Sequence, residues 1–265
     1  MNLNEKYLSH FINEKRVFIG RFLVKTRIYS YYYIGRIRGI HAEGFGCYKN
    51  IKSSIYYEGM WSNTKKEGLG IELDLTNDSK YLGNFKNGRK SGIGSFFWND
   101  DSSYIGEREN DNLNEYGIYY YPEGSFYKGH WKEGKVDGLG EFTIPEIKTY
   151  FGYFVNDKKS GFGITIWYKK SKVFMGYWKN NKKHGPGKII NNGVITYGEW
   201  ENGILKRPIK NKSYFINRIK MQKHYYLKLF ILDDYDEVQY KILNILNDTN
   251  SKNNPYKDNK NKPKN

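Results

Sequence analysis

Histidine, cysteine and acidic side chains build most metal sites and catalytic centres, but their spacing in this chain matches neither kind of site. The histidines are far apart, and a single cysteine cannot supply the paired thiolates of a zinc site. These residues are His10, His41, His130, His184, His224 and Cys47. The acidic group at 233–237 lacks the loop glycine and the ligand spacing of an EF-hand. We therefore expect no metal, no cofactor and no enzymatic activity.

The glycines do not form the motifs that bind nucleotides or activate a serine. The sequence has no Gly-x-x-x-x-Gly-Lys-Ser/Thr phosphate loop and no Gly-x-Ser-x-Gly elbow. The glycines fall instead into a short pattern: aromatic-x-Gly-x-aromatic, a gap of mostly polar residues, then Gly-x-Gly. Its copies start at Tyr33, Tyr57, Tyr81, Tyr104, Tyr127, Tyr150, Phe174 and Thr196. A period this short and regular is typical of a stacked-repeat protein.

Five copies keep the whole pattern, and we interpret their aromatic and glycine positions as structural. These positions are Tyr57, Gly59, Trp61, Gly68 and Gly70; Tyr81, Gly83, Phe85, Gly92 and Gly94; Tyr127, Gly129, Trp131, Gly138 and Gly140; Tyr150, Gly152, Phe154, Gly161 and Gly163; and Phe174, Gly176, Trp178, Gly185 and Gly187. The fourth copy is degraded, with Arg108 at its second aromatic position and Glu115 at its first late glycine.

Alternation along the chain predicts how each copy folds. Tyr57, Gly59 and Trp61 would share one face of a strand, and the polar stretch 62–66 would connect it to a return strand that begins near Gly68. Both late glycines would leave room for the large rings, because glycine in a strand often marks close approach. The apolar residue between them would pack on the other face. This residue is Phe45, Leu69, Ile93, Leu139 or Phe162 in different copies.

These positions make the copies resemble the MORN repeat (membrane occupation and recognition nexus). The closest copy runs from Tyr127 through Gly129, Trp131 and Gly134-Lys135 to Gly138 and Gly140. The resemblance implies an all-β fold, an elongated single-layer antiparallel meander of about eight β-hairpins. It also implies a docking or localising role, because in multidomain members of this family another domain does the chemistry.

The sequence divides into five segments in this interpretation. An N-terminal segment (1–17) and a degenerate half-repeat (18–32) precede the repeat array (33–204), followed by a basic helical segment (205–247) and a disordered Asn/Lys-rich tail (248–265). Apolar residues at helical spacing predict the short α-helical C-terminal segment. Its helices would either cap the open end of the sheet or bind a membrane or a partner.

The chain is basic, with a formal net charge of +16. Basic residues recur at the hairpin connections and in the C-terminal segment, where they are candidate contacts for anionic lipid or for a partner. They are Lys65, Lys66, Arg89, Lys90, Lys135, Lys158, Lys159, Lys182 and Lys183, and Arg218, Lys220, Lys223 and Lys228. The alternative is that the charged turns are simply solvated and keep sheets apart.

Two functions fit this sequence. The first is a non-enzymatic scaffold or adaptor that binds another protein at cytoskeletal, ciliary or membrane-associated structures. The second is a peripheral membrane protein that binds anionic phospholipids, such as phosphoinositides, through the basic turns and tail. Nucleic acid is disfavoured because the aromatic residues follow the repeat, and an open sheet edge would permit a homodimer. With one cysteine, no secretory signal and no long apolar stretch, we expect an intracellular, cytoplasmic location without a transmembrane segment.

Overall fold

The described part of the computed structural model comprises residues 31–50 and 52–210. It contains sixteen strands and one 3-10 turn, and each strand is followed in the sheet by the next strand of the chain. The strands are β1 Tyr31–Arg38, β2 His41–Asn50, β3 Ile55–Ser62, β4 Lys65–Asp74, β5 Ser79–Lys86, β6 Arg89–Phe97, β7 Ser103–Glu109, β8 Asn112–Tyr120, β9 Phe126–Lys132, β10 Lys135–Ile144, β11 Lys148–Val155, β12 Lys158–Trp167, β13 Lys172–Lys179, β14 Lys182–Asn191, β15 Val194–Glu201 and β16 Ile204–Pro208; the 3-10 turn is Tyr168–Lys170.

The predicted all-β meander is confirmed: the sheet is a single open antiparallel meander of hairpins. The chain divides into two compact units, the first ending at Ser91 and the second beginning at Gly92. The last strand of the second unit reaches Pro208, a few residues beyond the predicted end of the array. The predicted N-terminal segment, the half-repeat, the C-terminal helices and the tail lie outside the described residues, except for the ends that border them.

Short polar turns close the hairpins, as the composition of 62–66 predicts. In the first unit Ser62 pairs with Lys65, and both intervening residues have positive φ, 47° at Asn63 and 62° at Thr64. The second unit repeats this geometry at Asn156 and Asp157, with φ of 45° and 64°. Two successive residues at positive φ define the tight hairpin turn whose twist matches that of the flanking strands.

The two late glycines have different roles, which corrects the expectation that both make room for rings. Gly68 has a φ of +66°, and a Cβ added there would meet nothing closer than Met60 Cβ at 3.7 Å. It lies in a bulge, because the strand register shifts between the Gly59–Gly70 and Trp61–Lys66 pairs. Gly70 is the crowded one: a Cβ there would lie 2.5 Å from Tyr57 Cε2. The first glycine is therefore required by backbone conformation and the second by space.

Candidate functional site

One face of each hairpin, here called the aromatic face, carries the repeated rings. Tyr57 is 0 % exposed and Trp61 is buried beside it, as alternation predicts. The Tyr57 ring lies across the glycine pair, and its hydroxyl donates a hydrogen bond of 2.9 Å to the carbonyl of Met60. Tyr127 and Tyr150 in the second unit donate in the same way to the carbonyls three residues later, both at 3.0 Å. Each tyrosine thus satisfies its own hydroxyl against the bulged backbone.

Rings of successive repeats join the hairpins within each unit. Tyr57 meets Trp61 of its own repeat and Phe85 of the next edge to face, with centroid distances of 5.1 and 5.0 Å. In the second unit Tyr150 contacts Phe154 and Trp178 at 5.1 and 5.5 Å. Edge-to-face pairs at these distances add to the stability that burial provides. These aromatic residues therefore have a structural role, since they pack the hairpins together.

The predicted basic pairs at the hairpin connections are split by the strands. The first member of each pair opens the return strand and is exposed. Lys135 is exposed at the same position, although Val136 and not a basic residue follows it. These five residues, here called the turn basics, are Lys65, Arg89, Lys135, Lys158 and Lys182. The second member reaches over the rings of the aromatic face: Lys66 Nζ lies 4.9 Å from the centroid of Tyr57, and Lys159 Nζ 4.4 Å from that of Tyr150. The sequence groups the pairs together, whereas the sheet separates them because neighbouring residues point to opposite sides of a strand.

In the first unit the carboxylate of Glu72 lies between Lys66 and Lys90, two of the lysines that cover the rings. Glu72 pairs in register with Tyr57 on one side and Tyr81 on the other, and Lys66 and Lys90 lie over those two rings. Both lysines donate to the Glu72 carboxylate, one to each oxygen. Burial raises the pKa of Glu72, but the ion pairs with the two lysines outweigh it and hold the pKa below its usual value. We call this triad the first cradle.

The second unit has the same arrangement without the carboxylate. Thr165 pairs in register with Tyr150 and Phe174, and Lys159 and Lys183 lie over those two rings. Thr165 therefore occupies the position of Glu72. Its hydroxyl is buried and has no hydrogen-bond partner among the described residues, and Thr165 is only 1 % exposed. We call Lys159, Thr165 and Lys183 the second cradle.

Two further lysines and a tryptophan adjoin the second cradle. Lys148 and Lys172 both pair in register with Trp167, the next residue on this face of β12. Lys172 Nζ and Lys183 Nζ each lie 5.5 Å from the centroid of a Trp167 ring. The equivalent position in the first unit is Asp74, which pairs with Ile55 and Ser79. The second cradle thus gains two lysines where the first has an acidic neighbour.

The pKa values of Lys159 and Lys183 are lowered in a site where the described residues supply no counter-charge. Burial, with a contribution from Lys148, lowers the pKa of Lys159 to about 8. Burial, with a contribution from Lys172, also lowers the pKa of Lys183. None of the four lysines forms an ion pair with another described residue. Like charges held together without a carboxylate destabilise each other's charged forms.

The opposite face differs between the units. In the first unit Phe45 and Leu69, two of the residues expected to pack there, are 58 % and 66 % exposed. In the second unit Ile93 is exposed as well, whereas the equivalent Phe162 is buried. The expectation is therefore wrong for Phe45, Leu69 and Ile93, because their side chains point to a face that the described residues leave open. A buried apolar cluster occupies this face of the second unit, consisting of Phe151, Ile166, Val173 and Ile190.

Sequence reasoning misses Glu72, Thr165, Lys148, Lys172 and Trp167. A signal was present: in the column two residues after the second late glycine, only Glu72 is acidic among the copies that begin at 33 to 174. The pairing of that column with particular lysines depends on strand register. The predicted contacts Arg218, Lys220, Lys223 and Lys228 lie outside the described residues.

Elsewhere, the described residues contain neither a cluster of metal ligands nor a reactive thiol. No group of three His, Cys, Asp or Glu side chains among them could hold a metal ion. Burial and the charge of Glu58 raise the pKa of Cys47 to about 11, against the lowering effect of a hydrogen bond with Tyr56, so its sulfur is a protonated thiol at neutral pH. Within the described ranges there is also no helix with the length and apolar character needed to cross a membrane.

Comparison with known proteins identifies the repeats. A family model described as the MORN repeat matches six segments, at residues 57–74, 81–103, 104–126, 127–146, 150–172 and 174–193. The segments begin at the second to seventh repeat starts inferred from the spacing. No curated protein matches the chain.

Proposed function

This chain is a MORN-repeat protein, and we propose that it is a non-enzymatic scaffold that holds a protein partner on the opposite face of its first unit. MORN repeats occur in scaffold and membrane-associated proteins, and proteins built from them are generally non-catalytic. We place the partner on cytoskeletal, ciliary or membrane-associated structures, and the last of these agrees with that family pattern.

The observation that carries this proposal is a row of exposed apolar side chains. Phe45 and Met60 are cross-strand partners on β2 and β3, and Leu69 follows on β4 beside Met60. They are between 43 % and 66 % exposed, and Ile34 and Leu82 extend the row to β1 and β5. A contiguous apolar surface with polar neighbours is typical of a protein-interaction site.

Proximity labelling in cells with the full chain tests the scaffold. The variant Phe45→Ser/Leu69→Ser removes the two most exposed side chains of the row. The matched control is Val194→Ser/Ile204→Ser, which removes side chains of similar exposure, 67 % and 64 %, from the second unit. We expect a reproducible partner that is retained by the control and reduced roughly tenfold or more by the first variant. A labelled set that is identical for all three proteins would contradict the proposal.

A second candidate function is binding to anionic phospholipid through the turn basics. In its favour, each of the five is exposed at the start of a return strand. Within each unit they therefore lie at the same end of the strands, in a row across the sheet. Each charge near an anionic surface contributes about 1 kcal/mol. Flotation with phosphatidylserine vesicles tests this function: binding that survives physiological salt and is lost when the turn basics become glutamine supports it. No flotation under any condition rejects it.

A further inference from the structure

The two cradles are the same piece of structure with different central residues. In both, a return-strand residue lies between two rings of the aromatic face, and a lysine covers each ring. The other repeats lack this pair of lysines. The residues at the lysine position there are Ala42, Leu113, Val136 and Leu205. Only the two cradles can therefore be compared, and the first cradle shows which chemical group such a pair of lysines binds.

What the first cradle binds is a carboxylate. Glu72 accepts from Lys66 with one oxygen and from Lys90 with the other, so a single carboxylate satisfies both ammonium groups. The side chains of the triad are only 14–18 % exposed. Charge-assisted hydrogen bonds of this kind are roughly twice as strong as neutral ones, and here they offset the cost of partial burial.

From this we infer that Lys148, Lys159, Lys172 and Lys183 form a docking site for an acidic segment of the protein partner, whose carboxylates take the place that Glu72 fills in the first unit. The inference rests on the proposed scaffold function and adds the chemistry of the partner. It places a second contact on the aromatic face of the second unit. We call the four residues the lysine cluster.

Two independent observations support an external ligand. The first is the absence of any described carboxylate beside four lysines, although the first unit shows that the fold has room for one at the Thr165 position. The second is the Thr165 hydroxyl, a buried polar group without a hydrogen-bond partner among the described residues. Thr165 pairs in register with Tyr150 and Phe174, the two rings that Lys159 and Lys183 cover. Buried polar groups are nearly always hydrogen-bonded, so this one marks an unfinished site.

The number and spread of the lysines favour a segment with several carboxylates over a single small anion. Lys159 and Lys183 cover rings on β11 and β13, whereas Lys148 and Lys172 lie one residue pair further along, opposite Trp167. One carboxylate bridges two lysines in the first cradle. Four lysines at two successive levels of the strands therefore match at least two carboxylates on an extended chain, and the Trp167 ring offers that chain an apolar contact.

The experiment measures fluorescence anisotropy of a labelled oligoglutamate peptide against the full chain at physiological salt. Thr165→Glu supplies an internal carboxylate to the second cradle and should weaken peptide binding roughly tenfold. Thr165→Gln is the matched control, because it adds the same side-chain size without charge and should bind within about twofold of the wild type. Equal affinity for Thr165→Glu and Thr165→Gln would overturn the inference.

Net charge is controlled separately. Changing the lysine cluster to glutamine should weaken binding roughly tenfold or more. Changing Lys65, Lys135, Lys158 and Lys182 to glutamine removes the same charge from exposed turns and should leave the affinity within about twofold. Equal losses in the two quadruple variants would mean non-specific attraction and would overturn the site.

Other anions are separate arms of the same experiment. If the cluster variant loses flotation with phosphatidylserine vesicles but still binds oligoglutamate, the site is a lipid site and the inference fails. If inorganic phosphate displaces the peptide far better than chloride at equal ionic strength, the site is for phosphate, and the inference also fails.

A partner that is labelled equally by wild type and Thr165→Glu would discard this site while leaving the scaffold function intact. If peptide binding depends on the lysine cluster but no partner is labelled in cells, the site stands and the scaffold function is rejected.

Discussion

Strands β4 and β12 occupy equivalent places in the two units, yet they carry different residues between their pairs of lysines. Glu72 on β4 closes the first cradle with two ion pairs, and Thr165 on β12 leaves the second cradle without a counter-charge from the part of the chain that the structure describes. The backbone, the rings and the covering lysines are alike in both. The difference teaches that one side chain in a fixed repeat decides whether a pair of lysines stabilises the fold or remains available to a ligand.

The largest effect should come from opening the first cradle. Glu72→Thr gives it the central residue of the second cradle and removes the carboxylate to which the partly buried Lys66 and Lys90 both donate. We expect a loss of about 3 kcal/mol, the low end of the range for breaking a buried ion pair. Hydrogen exchange of the β3–β5 amides measures it as a local free energy of opening.

A rescue distinguishes lost charge pairing from lost packing. Adding Lys66→Met and Lys90→Met to Glu72→Thr removes the two ammonium charges as well and should restore most of the stability, since apolar replacement of a buried ion pair is often neutral. If Glu72→Thr alone changes protection by less than about 0.5 kcal/mol, the ion pairs do not hold this unit together and the comparison loses its basis.

Both cradles should gain stability as pH rises, the second in the alkaline range and the first in the acidic range. The pKa of Lys159 is lowered to about 8 in the folded chain, so between that pH and about 10.4 the unfolded chain binds more protons and stability rises with pH. From pH 8 to about pH 9.5, wild type should gain about 1–1.5 kcal/mol relative to Lys159→Gln. Because the pKa of Glu72 is lowered, the stability it provides is present above its unfolded pKa and is lost as pH falls below that value.

Urea titrations of wild type and Lys159→Gln across this pH range measure the alkaline effect. The range ends before the tyrosines of the unfolded chain ionise, near pH 10. A constant difference between the two proteins would show that the Lys159 ammonium is as well solvated in the folded chain as in the unfolded chain.

The smallest effect should come from the hydroxyl of Thr165. Thr165→Val removes a buried hydroxyl that bonds no described residue and should raise the free energy of unfolding by about 1 kcal/mol or less. Thr149→Val is the matched control on the neighbouring strand, since Thr149 is equally buried but bonds Thr143 at 2.8 Å and Tyr168 at 2.6 Å. That variant should lose about 1 kcal/mol. Melting temperatures that fall for both threonines would mean that the Thr165 hydroxyl is satisfied.

The sequence by itself determined the repeat register, the hairpins and the face on which Tyr57, Gly59 and Trp61 lie. These follow from local rules, because alternation, turn residues and glycine positions act within a single repeat. The same rules did not separate the roles of Gly68 and Gly70, since a bulge is visible only when two strands are paired.

Only the tertiary structure decided which lysines meet which carboxylate. Lys66 and Lys90 belong to different repeats, and they converge on Glu72 because antiparallel register places Glu72 between Tyr57 and Tyr81, the two rings that these lysines cover. The exposure of Leu69 and the burial of Phe162 are likewise not local, because the two occupy the same repeat position. Burial depends on what surrounds a side chain in space, which the repeat pattern does not encode.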